Sequence, residues 1–250
     1  GGTTLEPTSN YGVLRGNQDY HNGDGSVGFI LTGVNRSLDA SSTPFLHRSA
    51  YSGGLDARRR FGGRFEVSGS FDFSRVDGSA AAIALTQRDP VHLYQRPDGP
   101  LVYDSTRTSL AGTNMELRFA KVGGRRLQFE TAYQRRTPGF EVNDIGFLRQ
   151  ADRQAWTTWA ALAFRTPNHV FQSLRWNFNN WEYWTVAGLP TERAFNTNVH
   201  TQFNNRWWLH MGGTLGQLGT TWCDRCARGG PAIRQDPYIA PWGGIAGDDR

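Results

Sequence analysis

The stretch RFEVSGSFDFS sets Phe65, Val67, Gly69, Phe71 and Phe73 at one parity and Glu66, Ser68, Ser70 and Asp72 at the other. This strict period of two narrows the possible folds more than any other feature of the chain, because successive side chains of a strand point to opposite faces. AGTNMELRF repeats it, with Ala111, Thr113, Met115, Leu117 and Phe119 opposing Gly112, Asn114, Glu116 and Arg118. LQFETAYQ, FNTNVHTQF and WLHMGGTLG follow the same rule, whereas SVGFILTGV is apolar on both faces and SNYGVLRGN is weakly patterned. About ten strands result, at 9–20, 26–36, 49–61, 64–74, 108–120, 126–136, 154–166, 170–179, 195–204 and 206–218.

The connections between these strands alternate in length. HNGDG, the Gly62–Gly63 pair, VGGRR, TPNH and NNR are short, while 37–48, 75–107, 137–153, 180–194 and everything after 218 are long. In an antiparallel meander alternate connections lie at opposite ends of the sheet, so one rim carries turns and the other carries loops. Transmembrane β-barrels show this asymmetry, with short turns on one side of the membrane and long loops on the other. Thirty Gly, nine Trp, eight Tyr and fifteen Phe in 250 residues fit many turns and aromatic surfaces. The apolar parity is thin and aromatic, mixed with Gly, Ala and Thr, which suits a lipid-facing exterior around a wet, charged interior. The expected fold is all-β, an antiparallel up-and-down transmembrane β-barrel.

Charge and cysteine usage exclude several classes. The net charge of +5 comes from arginines spread through every segment, several beside acids, which is a solvated or pore-facing charge set and not a nucleic-acid patch. No run of 18 apolar residues exists, so no transmembrane helix is expected; a barrel stays open because its strands are hydrophilic on average. Cys223 and Cys226 form one CxxC with no second pair and no His at zinc spacing, so a local disulfide in an oxidising compartment is the preferred reading over free thiols or a metal or redox site. No Gly-x-Ser-x-Gly, P-loop or HExxH string occurs, and no cofactor is expected.

The strings SNYGVLRGNQDY, SVGFILTGVNR, LYQRPDG, YDSTRTSLAG, TPGFEVNDIGFLRQAD and RGGPAIR together resemble an uncharacterised family of bacterial outer-membrane β-barrel proteins. In that family the barrel commonly follows a periplasmic carbohydrate-binding-like module. The resemblance runs from about Ser9 to Arg234, and PGFEVNDIGF is its most specific part. It implies a bacterial outer-membrane location, lipid as a partner and an N-terminal periplasmic module in the full-length protein; it carries over no reaction and no catalytic residue. Residues 1–234 are expected to be a barrel portion and 235–250 an irregular tail. The chain opens without an export signal or an initiating Met, and its tail lacks a terminal strand ending in an aromatic residue. An incomplete, unclosed sheet with 9–20 and 206–218 as its edges is therefore expected.

The candidate site residues lie in the long connections. Glu141 and Asp144 stand three apart in RTPGFEVNDIGFLRQADRQ, a spacing that outside a helix does not make an acid/base pair converge. The favoured reading is a loop folded against the barrel, with Phe140, Ile145 and Phe147 plugging its rim and the acids meeting interior arginines such as Arg118, Arg135 or Arg149. Calcium at Glu141, Asn143 and Asp144 is disfavoured because the DxDxDG pattern is absent. Trp181, Tyr183 and Trp184 in NNWEYWT fit an interfacial aromatic girdle, or alternatively a sugar-stacking platform. His200 and His210 take polar-face positions on neighbouring strands, where two imidazoles without a third ligand make interior polar residues.

The expected function is passage or capture of a polar solute such as carbohydrate, without catalysis, and without nucleic acid as a partner. The alternatives are a soluble, Trp-rich carbohydrate-binding β protein and a barrel-embedded hydrolase using the loop acids.

Overall fold

The computed structural model describes residues 6–247. The alternating segments form β1 (Thr8–Tyr20), β2 (Gly25–Ser37), β3 (His47–Phe61), β4 (Phe65–Gly78), β5 (Ser109–Lys121), β6 (Leu127–Arg136), β7 (Arg153–Phe164), β8 (Phe171–Trp184), β9 (Pro190–Phe203) and β10 (Trp208–Gly216). A short ladder of β11 (Thr221–Cys223) with β12 (Ile233–Gln235) follows, and β13 (Tyr238–Ala246) then pairs with β10. Every neighbouring pair is antiparallel, giving one 11-stranded up-and-down sheet ordered β1 to β10 and then β13. Among the described residues no ladder joins β1 to β13, so the architecture is an open all-β meander and not a closed barrel.

Two expectations need correction. The tail read as irregular contains β13, which covers the expected 206–218 edge and itself becomes the edge; positions 248–250 lie outside the described residues. Pro241 and the Gly243–Gly244 pair hid its alternation, and an edge strand tolerates proline because one side of its backbone has no ladder to serve. The connection expected over 180–194 is only 185–189, since β8 runs on through Trp184. Asn180, Glu182 and Trp184 continue one parity and Trp181 and Tyr183 the other, so the supposed loop cluster is strand.

A nine-residue helix, α1 (Ala80–Arg88), lies in the connection after β4. Its sequence AAAIALTQR is rich in good helix formers, Ser79 caps it by accepting the Ala82 N–H at 3.1 Å, and Pro90 stops it.

Cross-strand register defines the two faces. On the apolar face one row runs Gly16, Phe29, Leu55, Phe71, Met115, and another Leu127, Leu162, Trp176, Val199, Met211. These side chains have no protein cover: Leu55 is 65%, Leu117 57% and Phe71 50% exposed. On the opposite face the row Val34, Ala50, Val76, Leu110, at the long-loop ends, is fully buried. Ile83 of α1 and Tyr94 close over it, with Leu101, Tyr103 and Ile145 alongside. A second cluster of Phe140, Leu148 and Ala151 packs with Val91 and Val142. The hydrophobic core therefore lies between the polar face and loops folded back on it.

Candidate functional site

The long connections build a cap over the polar face of β2 to β5. Residues 137–152 seat on it directly: the Glu141 N–H donates to Ser74 Oγ at 2.8 Å, and the Thr137 hydroxyl accepts the Thr113 N–H at 2.7 Å. Gly112 allows that approach, because a Cβ there would come within 2.2 Å of the Phe140 nitrogen. Ser79 ties α1 to the 38–46 loop by donating to the Thr43 carbonyl at 2.7 Å. Arg225 straps the last connection to the others, donating to the carbonyls of Pro90, Val91 and Ala151. Beside it Cys223 and Cys226 are joined by a disulfide with Cα atoms 5.5 Å apart.

Inside the cap the two loop acids go to separate partners. Asp144 receives Arg36 Nη1 on Oδ1 at 2.5 Å and His47 Nδ1 on Oδ2 at 2.6 Å. The His47 Nε2 lies 2.7 Å from the Thr86 hydroxyl, whose own proton is directed 3.1 Å to the Ala82 carbonyl. Both ring nitrogens of His47 are therefore engaged, one by the carboxylate and one by the hydroxyl. Burial alone would raise the Asp144 carboxyl; the hydrogen bond and charge of His47, followed by those of Arg36, outweigh it and hold Asp144 below the usual aspartate range.

Glu141 is 5% exposed and faces the wholly buried His92, Oε2 to Nε2 at 2.7 Å. The His92 Nδ1 donates to the Pro138 carbonyl at 2.7 Å, and the second Glu141 oxygen accepts the Asn143 N–H at 2.5 Å. A cleft of about 390 Å³ opens between these groups, lined by Arg36, His47, Thr86, Asp89, Glu141 and Asp144. Every carboxylate oxygen of Glu141 and Asp144 is already engaged. No group of three or more His, Cys, Asp or Glu side chains is arranged to hold a metal among the described residues.

The expected partners Arg118, Arg135 and Arg149 therefore give way to His92, His47 and Arg36. Arg118 lies farther down the polar face, bound to Glu66 at 2.7 Å and Glu130 at 2.5 Å, and strand parity turns Arg135 to the apolar face. Phe140 and Ile145 plug the cap, but Phe147 is 82% exposed. At the base of the cap Asp152 accepts the Val186 N–H at 2.9 Å; burial, with the nearby charge of Asp224, pushes its carboxyl up.

Beyond the cap, the polar face of β6 to β10 is a surface of amides and aromatic rings. Asn177 donates to Asn198 at 2.8 Å, Asn179 to Asn196 at 3.0 Å, and Asn196 to the Thr214 hydroxyl at 2.9 Å. The Trp159 indole N–H reaches Asn177 at 3.2 Å, and the Trp181 indole N–H reaches Glu192 at 2.5 Å. The Arg153 guanidinium lies 3.9 Å from the centre of the Tyr183 ring. Trp184 falls on the apolar face opposite Gln154, so the three aromatics expected as one cluster are divided two to one. His200 and His210 pair across β9 and β10, Nδ1 to Nδ1 at 2.7 Å.

These features define a class: an open antiparallel β meander with one bare apolar face and one polar face partly capped by its own loops. The chain belongs to the family described as a domain of unknown function (DUF5916), whose sequence model matches residues 2–221. That span covers β1 to β10 and the start of β11. No curated protein matches the chain.

Proposed function

We propose that this sheet forms the wall of a transmembrane β-barrel in a bacterial outer membrane, and that its polar face passes or captures a polar solute such as carbohydrate, without catalysis. The observation that carries the reading is the unequal treatment of the two faces. In water a bare row of Phe, Leu and Trp across neighbouring strands is costly, since soluble monomers seldom expose contiguous apolar patches beyond a few hundred Å². Against lipid the same face is matched, and every interior strand satisfies its backbone within the sheet. The strands of the 11-stranded sheet run from 9 to 15 residues, enough for a tilted strand to cross a bilayer core. The amide and indole groups of β7 to β10 offer the hydrogen bonds and flat apolar surfaces that a sugar uses, so carbohydrate is the leading solute class.

Detergent dependence tests the placement, and swelling of proteoliposomes in oligosaccharide solutions tests the solute. The chain should need detergent to remain monomeric and folded, and Trp181→Ala should change swelling with oligosaccharides more than with potassium chloride. A monodisperse, folded protein in plain buffer would remove the membrane placement.

A further inference from the structure

The short-turn rim carries a group of cations that the passage of a solute does not use. The turn between β5 and β6 and the turn between β7 and β8 border an open cleft of about 990 Å³ whose lining includes Lys121, Arg125, Arg126 and Arg165 together with Leu127 and Phe164. None of these four cations has an ion-pair partner among the described residues, and the segments 121–127 and 164–171 contain no acid. The one resolved side-chain contact is Arg126 over the Phe164 ring, at 5.7 Å from its centre. Glu130, the closest acid along the chain, is engaged by Arg118.

Position relative to the apolar face gives this group its chemistry. Lys121 lies in register with Phe65 and Phe129, so its stem runs along that face while its ammonium reaches the rim. Just inside the rim Phe61, Phe65, Phe119 and Phe129 form a continuous ring cluster, with successive centroids 5.8, 5.9 and 5.6 Å apart. Apolar strand, aromatic belt and unpaired cations thus follow one another along the sheet, in the order of hydrocarbon, interface and headgroup in a phospholipid leaflet.

We infer that Lys121, Arg125, Arg126 and Arg165 form a binding site for the phosphate of an anionic phospholipid, with Leu127 and Phe164 against the start of its acyl chains. The inference rests on the membrane reading above and adds the lipid class that the rim selects. A phosphate group could also come from free inorganic phosphate, so the test separates the two sources.

The full chain in dodecyl maltoside is titrated with dihexanoyl-phosphatidylglycerol, dihexanoyl-phosphatidylcholine or inorganic phosphate, and retained ligand is counted by native mass spectrometry. Phosphatidylglycerol should bind at least about fivefold more tightly than phosphatidylcholine, since each cation near an anionic headgroup contributes about that factor. The preference should shrink as salt is raised for the unmodified chain. Replacing all four residues by Gln should abolish it while far-ultraviolet circular dichroism stays unchanged. Equal retention of the two lipids, displacement of phosphatidylglycerol by equimolar inorganic phosphate, or a quadruple variant that keeps its lipid would each overturn the site. The same titration in plain buffer, with these short-chain lipids below their micellar concentration, reads the preference for a chain that stays folded without detergent, so failure of the site and failure of the membrane placement are distinct results.

Discussion

Asp144 holds together side chains that lie 108 and 97 positions away in sequence, and this makes it the most consequential single residue of the cap. Asp144→Ala leaves the part-buried Arg36 and His47 without their carboxylate, and because these side chains keep 10% and 13% exposure the cost falls below the about 3–5 kcal/mol of a fully buried pair that loses one partner. The expected result is a cap that opens to protease between 137 and 152 while the sheet keeps its circular dichroism. The pH dependence follows from the lowered Asp144 carboxyl: its stabilising contribution is present above the ordinary aspartate value of 3.8 and is lost as pH falls through the lower folded value. Proteolysis of the cap between pH 5 and 2 should therefore rise in the unmodified chain below that value, and the Asp144→Ala cap should already be open at pH 5. A cap equally resistant in both proteins would remove the ion pair from its role. The two loop acids were legible in the sequence because they interrupt an apolar loop. Their partners were not, because His47, His92 and Arg36 meet them only through tertiary contact between separate connections.

At the level of elements, the period of two assigned the faces of β4, β5, β6, β9 and β10, since one alternating string fixes strand and face together, whereas β1, weakly patterned, and β2, apolar on both sides, showed a strand without showing its faces. It failed where composition hid the alternation, as in YIAPWGGIA of β13, or where aromatic residues suggested a girdle loop, as in NNWEYW of β8. Helix α1 lies inside a long connection and carries no alternation, so only its start signal, Ser79 before AAAIALTQR, marks it in the sequence. The two faces make a direct prediction. Leu117→Arg should cost about 2–4 kcal/mol of folding stability in lipid, while Gln128→Arg on the polar face should cost far less. Denaturant titrations of refolded protein in vesicles measure both, and equal costs would mean that the apolar face does not meet lipid. Asn114, on the polar parity, is not an equivalent control, because it is buried under the cap and donates to Asp72 at 2.7 Å. The seating of the cap makes a second prediction. Gly112→Val places a side chain against the backbone of Gly139 and Phe140, so the 137–152 connection has to lift. Trypsin should then cut at the exposed Arg149 faster than in the parent, with β4 and β5 still protected from hydrogen exchange; unchanged cutting would mean that the loop does not depend on this contact.

Across the whole molecule, charge and order are distributed along one axis. The cap end concentrates buried acids with their His and Arg partners and carries the disulfide, while the turn end carries the unpaired cations of the inferred phosphate site. Perpendicular to that axis the sheet ends in β1 and β13, each with a ladder on one side. Both edges are bare: Tyr11, Val13 and Leu14 are 57–72% exposed, and Ile239 and Ile245 are 76% and 70% exposed. Native-state exchange reports such differences, because an amide bonded in a central ladder opens only with larger parts of the fold, while edge amides open locally. In detergent-solubilised chain the outward-directed amides of β1 and β13 should exchange at rates near those of free peptide, and their ladder-bonded amides faster than those of β4 to β9. The strands next to the edges, β2 and β10, should fall between these limits. Slow exchange of every amide in both β1 and β13 would show that the two strands are paired in solution, with each other or with a second copy. Dependence of that protection on protein concentration would then separate the two: protection that survives dilution belongs to a sheet closed on itself, and protection lost on dilution to an association of copies.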